Sequence, residues 1–127
     1  TVARYAQGWN AGGSLEVLRH KVEVLERHCA DVGRDPLEIE RTLVRFASLR
    51  ADRAAAERAL AERLANNGSK HEIDLSLDFL GNEEDVAEQW RPYRDLGFTH
   101  LIVDIPSPFD HETIERLSRL RELMRED

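Results

Sequence analysis

The residues best placed to do chemistry lie near the start of the chain, where Trp9 and Asn10 are followed by Gly12-Gly13-Ser14. An indole can form a wall beside a flat ring, and an amide can hydrogen-bond the edge of that ring. Glycines before a helix expose backbone N–H groups, and helix N-termini favour anions such as phosphate. Trp9, Asn10, Gly12 and Gly13 are therefore candidate cofactor-binding residues. The simpler alternatives are a core tryptophan, a turn asparagine and a flexible connector, since the full spacing of a phosphate loop is absent.

Asp104 is the other polar group that stands out, because it interrupts an otherwise apolar stretch near the end of that stretch. A buried carboxylate requires hydrogen-bond partners, so Asp104 is a candidate for the polarity of a substrate pocket. A structural alternative is equally good: the carboxylate accepts hydrogen bonds from loop amides around Pro106.

The remaining reactive side chains do not form a recognisable constellation. None of the five histidines has the ligand spacing that marks a metal site. They are His20, His28, His71, His100 and His111. Cys29 is the single cysteine, so an internal disulfide is excluded and packing as a small apolar group is expected. No catalytic residue and no metal site are predicted.

Composition narrows the class of protein. The chain has 127 residues, 41% hydrophobic and 34% charged, which is enough apolar surface for one folded core. The formal net charge of −7 argues against a nucleic-acid or anionic-membrane surface, because neutralising phosphates needs clustered cations. No apolar run approaches the roughly 20 residues of a membrane span, and no signal peptide opens the chain. A cytoplasmic setting fits best.

The pattern along the chain alternates helices and strands. The expected order is a helix end at residues 1–6, a short strand at 8–10, a helix from Ser14 to Gly33, a short turn at 35–38 that Asp35 caps, a strand at 39–47, a helix at 53–66, a helix from Asn82 to Gly97 that Pro92 should kink or loosen, a strand at 98–106 and a helix that Asp110 caps. Residues 69–81 fit either a strand or an irregular lid with a short helical turn. The strand at 98–106 is nearly continuous in apolar residues, which predicts burial on both faces.

Such alternation predicts an α/β fold with about three parallel strands and covering helices. Three strands cannot close into a barrel, and an open sheet has edges that must be covered or paired. Because of this conflict, residues 1–127 are predicted to form a single partial domain.

Four stretches resemble the luciferase-like monooxygenase family. Residues 3–10, ARYAQGWN, look like its ARYADGWN passage, and residues 25–36, LERHCADVGRDP, look like L-x-x-H-C-x-x-x-G-R-D-P. Residues 81–87 resemble its G-T-P-E-E-V-A helix start, with Asn82 and Glu83 in place of the threonine and proline. Residues 97–103 resemble its closing G-x-x-H-L-I-V strand. Each piece alone is weakly specific, but together they cover most of the chain in the right order.

The resemblance implies the C-terminal portion of a TIM (β/α)₈ barrel that uses F420 or FMN for hydride transfer or oxygenation of a small organic substrate. Family barrels have about 250 residues or more, so an upstream barrel segment would supply the other strands and the groups nearest the reacting ring. Trp9 and Asn10 would lie at a strand's carboxyl end, where barrel enzymes place active sites. In a whole barrel Arg45 and Arg50 can meet a coenzyme phosphate, and Arg45 is assigned with Asp104 to the substrate pocket. Surface charge is the simpler role of the two arginines.

This interpretation predicts that the 127-residue chain alone is inactive. The alternative is a stand-alone α/β interaction module without catalysis, which dimerises through its open sheet edges. A longer reading frame upstream favours the enzyme, whereas a stable symmetric homodimer of the bare chain favours the module.

Overall fold

The computed structural model describes residues 1–126, and the side chains of residues 1–125. The elements in chain order are α1 (Val2–Tyr5), β1 (Gly8–Ala11), α2 (Leu15–Val32), a 3₁₀ turn (Pro36–Glu38), β2 (Glu40–Leu49), α3 (Arg53–Asn66), β3 (Phe79–Gly81), α4 (Glu83–Asp95), β4 (Phe98–Asp104) and α5 (His111–Glu126). No helix in this part of the chain has the length and apolar character needed to span a membrane.

The described residues form two compact units. Unit 1 contains residues 1–44 and 92–102, and unit 2 contains residues 45–91 together with those from 103 onward. Each unit has its own buried apolar cluster, and both contain part of β2, α4 and β4. The prediction of a single partial domain stays a prediction.

The sheet has four strands instead of the expected three. β1 pairs with β2 in parallel, with Asn10 opposite Thr42 and Ala11 opposite Leu43. β2 also pairs in parallel with β3, and β4 pairs with β2. The additional strand is β3, which forms the last three residues of the segment that fitted either a strand or a lid.

Helix α2 shows why unit 1 forms. The Ser14 hydroxyl accepts a hydrogen bond from the Val17 amide at 3.3 Å, and Gly33 ends the helix in the left-handed region at φ 71°. Both ends lie where the sequence predicts them. The buried face of α2 packs Leu25 and Cys29 against Ala3 and Ile39, so Cys29 behaves as the small apolar group that was expected.

Arg41 holds the two sequence segments of unit 1 together. It lies on β2 at 4% exposure, and its Nη1 donates to the Leu96 carbonyl at 2.5 Å. Its Nη2 lies 3.7 Å from a Glu26 carboxylate oxygen on α2. A buried guanidinium requires such partners, so Arg41 fixes the turn that precedes β4.

Unit 2 is built around α3, which forms over the predicted residues. Its inner face buries Ala56, Leu60 and Leu64 against Leu80 of β3, with Phe46 and Ile73 packed at the side. Full burial of a leucine side chain contributes about 2 kcal/mol, so Leu60 and Leu64 each add substantially to the stability of the unit.

Helix α4 begins with reciprocal capping. The Asn82 side chain accepts from the Asp85 amide at 2.9 Å, and the Asp85 carboxylate accepts from the Asn82 amide at 3.0 Å. Gln89 in the next turn accepts from the Leu80 amide and donates to its carbonyl, which satisfies β3. The helix continues through Pro92 to Asp95.

Strand β4 differs from the sequence prediction. Burial on both faces was expected, but Thr99, His100, Ile102 and Asp104 are all solvent-exposed, whereas Phe98 is buried. An almost continuous apolar sequence is typical of a strand covered on both sides. The exposed positions therefore leave one face of this strand uncovered.

Candidate functional site

The carboxyl end of β1 brings two polar side chains of unit 1 together. Asn10 and Thr42 occupy paired positions on neighbouring parallel strands, and the Thr42 hydroxyl donates to Asn10 Oδ1 at 3.0 Å. Asn10 is exposed. Because its oxygen is engaged by Thr42, the amide orientation is fixed and the two Nδ2 hydrogens are directed away from Thr42. This end of the strand therefore offers an oriented hydrogen-bond donor to a ligand.

Gly12 and Gly13 continue from this strand to the start of α2. No heavy atom lies within 4 Å of the place where a Cβ on Gly12 would stand, so the backbone is open on that side. Gly13 has φ +116° and lies close to Val17. Lys21 reaches back from the second turn of α2, and its Nζ donates to the Gly12 carbonyl at 3.2 Å. An open backbone, a helix N-terminus and a lysine together suit an anionic group.

Trp9 faces away from Asn10, because successive side chains of a strand point to opposite sides. Its ring is tilted against Phe98 at a centroid distance of 5.8 Å, and it packs on the buried cluster of Ala3, Leu25, Cys29 and Ile39. The structure therefore does not bring Trp9 and Asn10 to one face. These contacts are those of the core tryptophan that was the alternative interpretation, and a coenzyme role for Trp9 stays a prediction.

Trp9 also borders a surface groove of about 500 Å³ in unit 1, together with Lys21, Val24 and Leu25 of α2. The rim includes His20 and His28, which are exposed as the sequence suggested. Lys21 therefore lines this groove and also contacts Gly12, whereas Asn10 and Thr42 form their polar pair on the other face of β1.

The two predicted substrate-pocket residues have environments that differ from their predictions. Arg45 is only 6% exposed on β2, so it is not the surface charge that was the simpler expectation. Asp104 ends β4 and is exposed, so the premise of a buried carboxylate is wrong. Asp104 is exposed because one face of β4 is uncovered. Roles for Arg45 and Asp104 in a substrate pocket stay predictions.

Unit 2 contains a buried charged cluster after the end of β2. Arg50 binds both carboxylate oxygens of Asp110 at 3.0 Å, and Asp110 is 3% exposed. Thr113 donates to Asp110 at 2.7 Å and accepts from the Leu49 amide at 3.0 Å. This cluster fastens the start of α5 to the end of β2. The sequence identified Asp110 only as a helix cap.

The pKa of Asp110 results from opposing effects. Burial raises the pKa of this carboxyl. Hydrogen bonds from Arg50 and from the Thr113 hydroxyl and amide, with the charge of Arg50, outweigh burial and hold the pKa below its ordinary value. The exposed Asp74 also has a lowered pKa, because the Ser76 hydroxyl and amide donate to its carboxylate.

This pKa predicts a pH dependence of stability. A carboxyl whose pKa is lower in the folded state stabilises the fold above its unfolded pKa, so the contribution of Asp110 is present above about pH 4. It is lost as the pH falls below that value through the folded pKa. We expect the free energy of unfolding, measured by urea titration from pH 6 to 2, to fall less steeply in Asp110→Asn. If the free energy of unfolding falls equally steeply with decreasing pH in wild type and in Asp110→Asn, the pH dependence does not come from Asp110.

The histidines and Cys29 form no metal site in the part of the chain that the structure describes, where no group of three or more His, Cys, Asp or Glu side chains could hold an ion. His100 lies 2.5 Å from a Glu40 carboxylate oxygen at the amino end of its strand. That is the end of a barrel strand at which stability groups, not catalytic ones, are found.

Comparison with known proteins rests on structure. No protein-family model matches the chain, and no curated protein sequence matches it significantly. Among solved structures, an F420-dependent secondary alcohol dehydrogenase in complex with an F420–acetone adduct matches 93% of this chain at TM-score 0.67 and 17% identity. A long-chain alkane monooxygenase matches 98% at TM-score 0.70 and 16% identity. A riboflavin lyase with modified FMN and riboflavin matches 98% at TM-score 0.70 and 12% identity.

The chain has a partial TIM-barrel-like fold. It spans 38% to 43% of the length of these three proteins. The resemblance to the luciferase-like family that residues 3–10, 25–36, 81–87 and 97–103 suggested is thus confirmed at the level of the fold. In a TIM-barrel fold, functional groups follow the carboxyl ends of strands. Asn10 and Gly12 in unit 1, and Arg50 in unit 2, occupy such positions.

Sequence reasoning missed Lys21 and Thr42. Thr42 carries no motif, and only the register of β1 against β2 places it beside Asn10. Lys21 has a local signal, since it lies on α2 only eight residues after Gly13. A lysine within two turns of a glycine-rich helix start could have been added to the candidate anion-binding residues.

Proposed function

We propose that this chain is the C-terminal part of a luciferase-like, F420- or FMN-dependent oxidoreductase, and that the carboxyl end of β1 contributes to coenzyme binding. The single observation that carries the proposal is the oriented Asn10 amide, fixed by Thr42 beside the open backbone of Gly12. The structural neighbours support the coenzyme class, because their structures contain F420 or FMN derivatives.

The residues present fit such a coenzyme. A Cβ at position 12 would stand in space that no other heavy atom occupies, so Gly12 leaves its backbone open to a ligand. The N-terminus of α2, an 18-residue helix, favours a phosphate, and Lys21 adds a positive charge next to Gly12. When bound, the coenzyme supplies a ring that exchanges hydride with an organic substrate or, as reduced flavin, reacts with oxygen.

The role of this chain's own residues would be to bind the coenzyme and to orient its ring. Asn10 would donate to an acceptor on the ring edge, Thr42 would keep the amide in that orientation, and the glycines with Lys21 would hold the phosphate. Trp9 supports the strand from the opposite face through its contact with Phe98. A substrate pocket that includes Arg45 and Asp104 is part of the proposal. The chain spans about two fifths of its neighbours, so we expect no turnover from these 127 residues alone.

Replacing Asn10 by alanine is expected to weaken coenzyme binding about 5- to 10-fold, because one hydrogen bond to the ring is lost. Thr42→Val should weaken it less, since the amide remains but loses its fixed orientation. The measurement is a fluorescence titration of the full-length protein with F420 and, separately, with FMN.

The matched control is Gln7→Ala, which removes an exposed amide at the other end of β1. It should leave both affinities unchanged. Equal affinities for wild type and Asn10→Ala would remove Asn10 from the site. Failure of the wild-type protein to bind either coenzyme, with light scattering showing a symmetric dimer of the chain, would favour the interaction module.

A further inference from the structure

The surface groove beside Trp9 lies entirely within unit 1. Its volume of about 500 Å³ is within the range of small-molecule pockets. It is bordered by the start of α1, by one face of α2 and by Trp9 of β1. The polar pair of Asn10 and Thr42 lies on the other face of β1. The groove is therefore a second concave surface, separate from the proposed ring-binding residues.

Helix α2 contributes one continuous face to the groove. The residues on this face are His20, Lys21, Val24, Leu25 and His28. They recur at three- and four-residue intervals, which places them on the same side of a helix. Lys21 and His28 are about 10 Å apart along the helix axis, and Val24 and Leu25 lie between them. The groove thus has an apolar floor with polar side chains towards both ends.

The aromatic part of the groove is the indole of Trp9. Its ring is half-buried, and the imidazoles of His20 and His28 are exposed at the rim. Aromatic rings pack favourably against other aromatic rings, in addition to the gain from burying apolar area. A flat aromatic ligand is therefore the kind of molecule that this lining favours.

The positive charge of the groove comes from Lys21. The residues three and four positions away from it are Val17, Leu18, Val24 and Leu25. None of these is a carboxylate that could pair with Lys21 along the helix. Its hydrogen bond to the Gly12 carbonyl uses only one of three ammonium hydrogens. The described residues that border the groove include no carboxylate, so a ligand there meets an unneutralised cation.

We propose that this groove binds an aromatic carboxylate, with its ring between Trp9 and the apolar face of α2 and its carboxylate on Lys21. Apolar walls with a single convergent charge are typical of small-molecule sites. The inference goes beyond the proposed function and does not need the coenzyme. Lys21 also lies beside the proposed phosphate position, so the test includes Val24, which borders the groove alone.

The test is a titration of 2-naphthoate into the full-length protein without added coenzyme, followed by proton and nitrogen-15 shifts. We expect saturable shifts of the Trp9 indole and of the Val24 and Leu25 amides, with the Asn10 side-chain amide unchanged. 2-Naphthol, which has the same ring without the carboxylate, should bind at the same residues more weakly. Acetate, which has the carboxylate without the ring, should cause no saturable shift.

Two substitutions examine the two parts of the site. Lys21→Met should weaken 2-naphthoate binding about 2- to 5-fold, as expected for a solvent-exposed ion pair, and leave 2-naphthol binding unchanged. Unchanged 2-naphthol binding also shows that the variant is folded. Val24→Asp should weaken binding of both compounds at least 10-fold, because it places a charge against the ring.

The matched controls lie outside the groove. Arg19→Met removes a positive charge from an exposed position of α2, and Leu37→Asp adds a carboxylate where the side chain is 81% exposed. Both variants should bind 2-naphthoate as the wild-type protein does.

Several results would overturn the proposal. Absence of saturable shifts at Trp9 would do so, including the case in which another part of the full-length protein covers the groove. Equal affinities for 2-naphthoate and 2-naphthol would remove the role of Lys21, and wild-type affinity in Val24→Asp would place the ligand elsewhere. Failure of F420 and FMN to bind would contradict only the proposed function, because this titration contains neither coenzyme.

Discussion

Asp110→Ala is expected to lower the free energy of unfolding by about 3–5 kcal/mol, because it leaves the Arg50 guanidinium half-buried without its bidentate partner. Both Arg50–Asp110 contacts are 3.0 Å, and Asp110 also caps α5 by accepting from the Thr113 amide. Urea unfolding at pH 7, followed by circular dichroism, measures the loss.

The matched control is Glu112→Ala. Glu112 contacts the same arginine at 3.2 Å, but its side chain is 49% exposed. Solvent screens such a pair, so its removal should cost no more than about 1 kcal/mol. Similar losses in the two variants would show that burial of Asp110 does not strengthen the pair.

Gly81→Ala is expected to destabilise the protein by about 2 kcal/mol or more. Gly81 has φ +135°, and an added Cβ would stand 2.6 Å from the Asp85 Cβ and even closer to its carboxylate. Asp85 cannot retreat without breaking its hydrogen bond to the Asn82 amide, so backbone strain and overpacking add. Thermal unfolding of the variant and wild type gives the difference.

Gly68→Ala separates the two causes. Gly68 also has a positive φ, 62°, but nothing lies within 4 Å of its Cβ position. The Gly68→Ala substitution should therefore lower the free energy of unfolding by only about 1 kcal/mol, from the left-handed backbone alone. If Gly81→Ala loses no more than this variant, contact with Asp85 is not what requires a glycine at position 81.

The features that the sequence predicts well are local. Ser14, Asp35 and Asp110 were expected to cap helical turns, and each side chain accepts from an amide two or three residues later. The end of α3 at Asn66 was also predicted, since a glycine follows closely at position 68. A cap needs only neighbours along the chain, so its residue types suffice to predict it.

Contacts between distant residues were not predictable. Arg50 and Asp110 are 60 positions apart, and nothing in their neighbouring residues indicates that they meet. The same holds for Asn10 and Thr42, which meet only through the strand register. The error at Asp104 has a related cause, because an apolar strand does not reveal which of its faces another element will cover.

The hydrogen bond from Arg41 to the Leu96 carbonyl has a consequence for how related chains can vary in length. The carbonyl sits two residues before Phe98, whose ring is 1% exposed. An extra residue between Leu96 and Phe98 would move either the Leu96 carbonyl away from the Arg41 guanidinium or the Phe98 side chain out of its buried position. Homologous chains should therefore keep this turn constant and place their insertions elsewhere, for instance around the exposed residues 66–70.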